Sequence, residues 1–189
     1  MNDKVEINLA KHIVIVIINI MAILNISCMN NDRFLALTYE EFDQTDNKGW
    51  REYTYPNKVD YKKAAEVIEY YLMYKDGLIP DEIAMLNFHA GQGFAFVNDY
   101  SKAQKHLSLS FTDGSDTNGK YWNYYVQANI AFLNRDLNSL LRIKGKMESL
   151  PLINGMNPNL AFVKSFISNI HKPYLFAYRD AQNNYQYEK

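Results

Sequence analysis

Residues 86–111, LNFHAGQGFAFVNDYSKAQKHLSLSF, read as two helices joined by a tight turn at Asn98-Asp99. Apolar residues recur at three- and four-residue steps on both sides of that turn, the period of a helix with one buried face. Gly91 and Gly93 lie inside the first helix, where each costs about 1 kcal/mol relative to Ala. Close approach of a neighbouring helix offsets such a cost. Ala90, Ala95 and, on the second helix, Ala103 keep the same surface low. The expected contact is Gly91 against Ala103.

The flanking sequence continues in this style. Residues 60–74 (DYKKAAEVIEYYLMY) form a helix with Ala64, Ala65, Ile68, Tyr71 and Leu72 on one face, and Asp76-Gly77 ends it. Pro80 opens the next helix, with Asp81 and Glu82 in its first turn. Helices are expected over 83–97 and 101–111, a loop over 112–119, and a helix pair over 121–133 and 137–147. The turn 154–159 (NGMNPN) precedes a helix over 160–170, and a last turn or two spans 174–181. Nearer the N-terminus, Thr38 and Glu41 make a capping box. The turn-rich stretch 43–57 contains Trp50, whose ring is expected to pin it to the first helix pair.

Two internal alignments appear. Asp60-Tyr61-x-Lys63-Ala64 matches Asp99-Tyr100-x-Lys102-Ala103 at a shift of 39. Ala95-Phe96-Val97-Asn98 matches Ala131-Phe132-Leu133-Asn134 at a shift of 36, with Asn87 and Asn123 at the same offset. Self-similarity at this period marks helical-hairpin repeats, which bury their apolar faces only by stacking. In these residues the chain resembles the tetratricopeptide repeat. Ala90-Gly91 and Phe94 match its first helix; Tyr100, Ala103, Leu107 and Ser110 match its second. The resemblance covers residues 60 to 148. It implies an all-α fold, a short stack of antiparallel helical hairpins wound as a right-handed superhelix. It also implies a concave face lined by Met85, Phe88, Gln92 and Phe96, continued in the next hairpin by Tyr121, Tyr124, Ala128 and Phe132. Such a groove suits a peptide or helix of another protein. The alternative is that the N-terminal segment or the final helix fills it.

The N-terminus reads as an address. Lys4 and Lys11 precede an uncharged run at 13–26, IVIVIINIMAILNI, too short for a comfortable membrane span and suited to a secretory signal. Ser27-Cys28 ends it, and Cys28 is the chain's single cysteine. The segment resembles a bacterial lipoprotein signal, which implies lipidation of Cys28. Simple secretion and an uncleaved anchor are the alternatives, and all three export the domain. Met29 in place of a retention Asp points to the outer membrane. The expected organisation is a signal peptide over 1–27, a tether and irregular segment over 28–58, a helical domain over 59–182 and a polar tail over 183–189. The GWR, LNFHAGQ, DYSKA and NIHKPY segments resemble a family of exported bacterial proteins without known activity.

A net charge of −1 leaves no basic excess for nucleic acid. One cysteine excludes an intrachain disulfide or a multi-cysteine zinc site. No Gly-x-Ser-x-Gly or His-x-x-Glu-His pattern occurs, and Gly91-Gln92-Gly93 lies within a helix rather than after a strand, so it is not a phosphate loop. His89 and His106 read as edge imidazoles with local hydrogen bonds. Catalysis would require a His and a carboxylate converging on a pocket. The reading is therefore a non-enzymatic, cofactor-free interaction module on the periplasmic side of a bacterial envelope. It would be held to the membrane by its lipid and bind another envelope protein or peptide. An immunity-type inhibitor of an envelope-targeted toxin is one variant. A binder of a small apolar or glycan ligand in an aromatic groove is another.

Overall fold

The computed structural model describes residues 31–54 and 59–184. Cys28, the signal-like run and the tail after residue 184 lie outside them. Among the described residues the fold is all α, with eight packed helices and no sheet: α1 (31–35), α2 (Tyr61–Tyr74), α3 (Pro80–Phe96), α4 (Tyr100–Ser108), α5 (Thr117–Leu133), α6 (Leu137–Glu148), α7 (Leu160–Ser168) and α8 (Tyr174–Asn184). A π-helical turn, Glu40–Gln44, and a 3₁₀ turn, Gly49–Tyr53, lie between α1 and α2.

Aspartates start four of these helices. Asp60, Asp99, Asp116 and Asp136 each accept a hydrogen bond from the backbone N–H three residues on, at 2.7 to 3.2 Å. Such caps stabilise a helix by about 0.5–2 kcal/mol each. Asp116 explains why α5 begins at Thr117 rather than near Tyr121. The loop before it is tied down, since Asn123 bonds both the N–H and the C=O of Thr112 at 2.9 Å. The Thr38–Glu41 box also forms, with Thr38 N–H on Glu41 at 3.0 Å and Glu41 N–H on Thr38 at 3.2 Å.

The two helix-interior glycines are close-approach points. A Cβ on Gly91 would lie 2.8 Å from Leu107 Cγ and 3.2 Å from the Ala103 carbonyl oxygen on α4. A Cβ on Gly93 would lie 3.0 Å from both Ala65 Cβ and the Tyr61 carbonyl on α2. Helix α3 is therefore gripped on two sides. Gly91 lies five residues before the end of α3 and Ala103 three into α4, so they meet because the chain reverses at 97–99. Gly145 is the contrast: it is exposed within α6, and a Cβ added there would meet nothing within 4 Å. Gly145→Ala should therefore raise stability by about 0.5–1 kcal/mol, read as a higher urea midpoint at unchanged m.

The repeat is real at the turns, but its second register is off by one. Asp99 N–H bonds the Phe94 carbonyl, and Asp136 N–H bonds the Ala131 carbonyl, both at 2.9 Å. The left-handed residues before these caps are Asn98 and Arg135. The structural shift is thus 37, not the 36 of the Ala-Phe-x-Asn match: both turns hold three residues, 97–99 and 134–136, and the helices before them already end 37 apart, at Phe96 and Leu133. In this register Gln92 is equivalent to Asn129 and Phe88 to Tyr125.

The core has two parts. Phe94, Leu107, Val126, Phe132, Leu140, Met147, Phe166 and Tyr174 belong to the larger, which runs from α3 to α8. The smaller joins Phe34 and Phe42 of the N-terminal segment to Val67, Ile68, Tyr71 and Leu86. There Phe42 stacks on Tyr71 at a centroid distance of 3.7 Å.

Candidate functional site

The concave-face residues divide into buried and accessible ones. Phe88, Gln92, Tyr121 and Phe132 are buried. Phe88 packs on Trp122 and Tyr125, at 4.7 and 5.3 Å between centroids. The Tyr121 hydroxyl donates to the Met147 carbonyl at 3.3 Å. Phe132 meets Phe166 at 4.9 Å and Tyr174 at 5.8 Å. Tyr124 is half-buried beneath Lys146, and Met85 lines a shallow depression with Trp122 and Thr112.

Helix α8 is what occupies the centre of the groove. Its first residue, Tyr174, is fully buried among Phe96, Phe132, Phe166 and Tyr178. Gln92 donates to the Tyr174 hydroxyl at 3.3 Å, and that hydroxyl donates to Asn129. The equivalent amides of the two hairpins thus converge on one phenol. Burial pushes this phenol well above its ordinary range.

One end of the groove stays open. A cleft of about 320 Å³ lies between the 3₁₀ turn, α2, α3 and α8. Trp50, Tyr61, Phe96 and Tyr178 supply rings, while Arg51, His89, Gln92 and Arg179 supply polar groups. Gln92 and Phe96, expected on the concave face, are in it. Arg179 and Gln182 are exposed at its mouth.

At the base of the cleft Asp43 and His89 meet. The Asp43 side chain is fully buried, and its Oδ1 lies 2.8 Å from His89 Nδ1 and 2.7 Å from the Trp50 indole N–H that it accepts. The Arg51 Nε–H donates to the Asp43 carbonyl, and its guanidinium lies over the Trp50 ring at 4.5 Å. Burial alone would raise the Asp43 carboxyl. The His89 and Trp50 hydrogen bonds and the Arg51 charge together outweigh it, holding the carboxyl below its ordinary value. Asp43 takes up Nδ1, which leaves Nε2 as the ring nitrogen available to the cleft that His89 lines. That nitrogen has no hydrogen-bond partner among the described residues. Of this pair only His89 lines the cleft; the Asp43 carboxylate is fully buried beneath it. The cleft places no bonded nucleophile on Nε2.

His106 lies elsewhere. Its Nδ1 contacts Asn87 Oδ1 at 2.9 Å and its Nε2 contacts Glu69 at 3.0 Å, while Lys102 reaches the same carboxylate at 3.1 Å. Burial raises the Glu69 carboxyl, but its His106 and Lys102 partners bring it below the ordinary value. Asp99, nearby in sequence, is a helix cap and not a partner of His106. Among the described residues no three His, Cys, Asp or Glu side chains group as a metal site requires, and no helix is long and apolar enough to cross a membrane.

Asp43, Arg51, Tyr61, Tyr178 and Arg179 are absent from the residues that sequence pattern nominates. Trp50 in a turn-rich stretch was the one available signal.

The depressed carboxyls set the acid limit of stability. A group whose folded value lies below its unfolded one, about 3.9 for Asp, stabilises above that value and loses its contribution as pH falls through the folded one. The melting temperature should therefore drop as the pH falls below about 5, and go on dropping below the ordinary carboxylate range. Asp43→Asn should melt lower at neutral pH but show a shallower acid decline, the rest of that decline coming from the other depressed carboxyls, Glu69 among them.

No family model, curated protein or solved structure matches this chain.

Proposed function

We propose that this chain is an exported, lipid-anchored, non-catalytic interaction module of a bacterial envelope, and that the open cleft takes a segment of another envelope protein. Export and anchoring are supported by the 13–28 segment. The observation that carries the recognition site is the open end of an otherwise filled groove. There the rings of Trp50, Tyr61, Phe96 and Tyr178 stand beside Arg51, His89 and Arg179. Aromatic anchors with Arg are the usual composition of binding hot spots. The Arg51 and Arg179 guanidiniums favour an acidic side chain or a chain-terminal carboxylate on the partner. Inhibition of an envelope-targeted toxin is one use of such a module.

A photo-crosslinking residue in place of Gln182, in the full chain in intact cells, should give a discrete adduct with an envelope protein. Arg179→Glu in the same chain should reduce that adduct about tenfold, the scale of one lost charge-assisted contact. The same probe at Lys144 should give none. Equal adducts from both positions would rule out the cleft as the recognition site.

The volume of the cleft favours a second reading, a small ligand of glycan type. About 320 Å³ lies within the range of small-molecule sites. Sugar faces stack on rings, and Gln92 with Arg179 offers planar hydrogen bonding. A chitooligosaccharide that raises the melting temperature of the wild-type protein but not of Arg179→Glu would select this reading.

A further inference from the structure

We infer that the face formed by the C-terminal half of α2, the start of α3 and the end of α4 lies against the lipid bilayer. This rests on the reading of Cys28 as the lipid-anchored residue. Two independent observations meet on that face.

The first is exposed apolar surface. Met73 is 72% exposed, Ile79 and Leu109 56%, Tyr74 53% and Ile83 39%. All but Ile79 line one shallow groove of about 610 Å³, and Ile79 lies in the connection beside it. The Tyr70 and Tyr74 rings pack at 4.7 Å. A contiguous apolar patch of this kind marks an interaction site, and Tyr beside aliphatic side chains suits the membrane interface.

The second is where the chain enters. Asn31 lines the same groove. The Tyr70 hydroxyl donates to Asp32, and Lys75 Nζ donates to the Leu35 carbonyl at 3.0 Å, fixing residues 32–35 along α2. Three peptide units separate Cys28 from Asn31 and span at most about 11 Å. A lipid on Cys28 therefore brings this face, and not the α5–α6 side or the cleft, to the bilayer. The charged groups that line the groove do not oppose the contact. Glu69 is held by Lys102 and His106, Glu66 faces Lys62 at 3.9 Å, and exposed Lys105 borders the groove where a phospholipid headgroup would lie.

The test uses the full chain made in a host that lipidates it, reconstituted into vesicles of phosphatidylethanolamine and phosphatidylglycerol. Met73→Cys, Leu109→Cys and Gln182→Cys each carry an environment-sensitive fluorophore, with nitroxide lipids as quencher. The labels at 73 and 109 should be quenched about twofold or more, and the label at 182 should not. Flotation with the vesicles and equal quenching at all three positions would overturn the inference while leaving the anchor standing. Flotation no better than that of Cys28→Ala would remove the anchor and the inference together. Two further outcomes would also overturn it. A dimer in detergent with mutual quenching of the labels at 73 would assign the face to a second copy. Shielding of position 73 without vesicles, in a chain whose mass retains residues 1–27, would assign it to the chain's own apolar run.

Discussion

Tyr174→Ala should cost the fold about 4–6 kcal/mol, a large share of the roughly 5–15 kcal/mol that stabilises a domain. Removing a fully buried aromatic side chain costs about 3–5 kcal/mol through lost transfer energy and the cavity left behind. This ring meets Phe96, Phe132, Phe166 and Tyr178, so the cavity is walled by large rings that cannot collapse inward without leaving their rotamers. Loss of the hydroxyl adds a polar cost, because the buried amides of Gln92 and Asn129 lose their shared partner. Tyr174→Phe separates the two contributions. It keeps the ring and should cost about 1–3 kcal/mol. Urea unfolding followed by circular dichroism measures both. A small loss for Tyr174→Ala with the midpoint nearly unchanged would mean that α8 is peripheral and the groove is open along its length.

Gly91→Val should cost about 2–3 kcal/mol, through overpacking rather than helix propensity. The new Cβ would fall 2.8 Å from Leu107 Cγ and 3.2 Å from a backbone oxygen, and the branched methyls need further room. Leu107 is fully buried and has nowhere to retreat, so the α3–α4 spacing must open. Gly93→Val should act the same way on the α2 side, where Ala65 and the Tyr61 carbonyl are in the way. Gly145→Ala should move in the opposite direction. That contrast in sign separates packing from propensity, since propensity alone favours Ala over Gly at all three positions.

The parts of the fold legible in the sequence were those set by local chemistry. The Asn98-Asp99 turn, Pro80 at a helix start and two glycines in an apolar helix each act within a few residues or against the adjacent helix. The repeat register was harder. Asn98 and Asn134 look equivalent, yet Asn98 and Arg135 hold the left-handed positions. Identity of side chain outweighed identity of role.

Recognition residues were less legible, for two physical reasons. An apolar face looks the same in the periodicity whether it lines a groove or is covered by another helix. Phe88, Tyr121 and Phe132 are at groove spacing and are buried: Phe88 against α5, Tyr121 against the end of α6 and residues 150–151, and Phe132 against α7 and α8. The chemistry of the cleft, in turn, joins distant residues. Asp43 and His89 are 46 positions apart, and Arg179 arrives from the last helix. No local pattern links them.

Everything above depends on α3 being packed tightly between its neighbours while α8 closes the groove beside it. Nuclear Overhauser contacts in a methyl-labelled sample test both halves in one spectrum. Cross-peaks are expected from the Gly91 α-protons to the Leu107 methyls, and from the Tyr174 ring to the Phe132 and Phe166 rings. Absence of the Gly91–Leu107 peaks, or a Tyr174 ring in contact only with water, would contradict this packing.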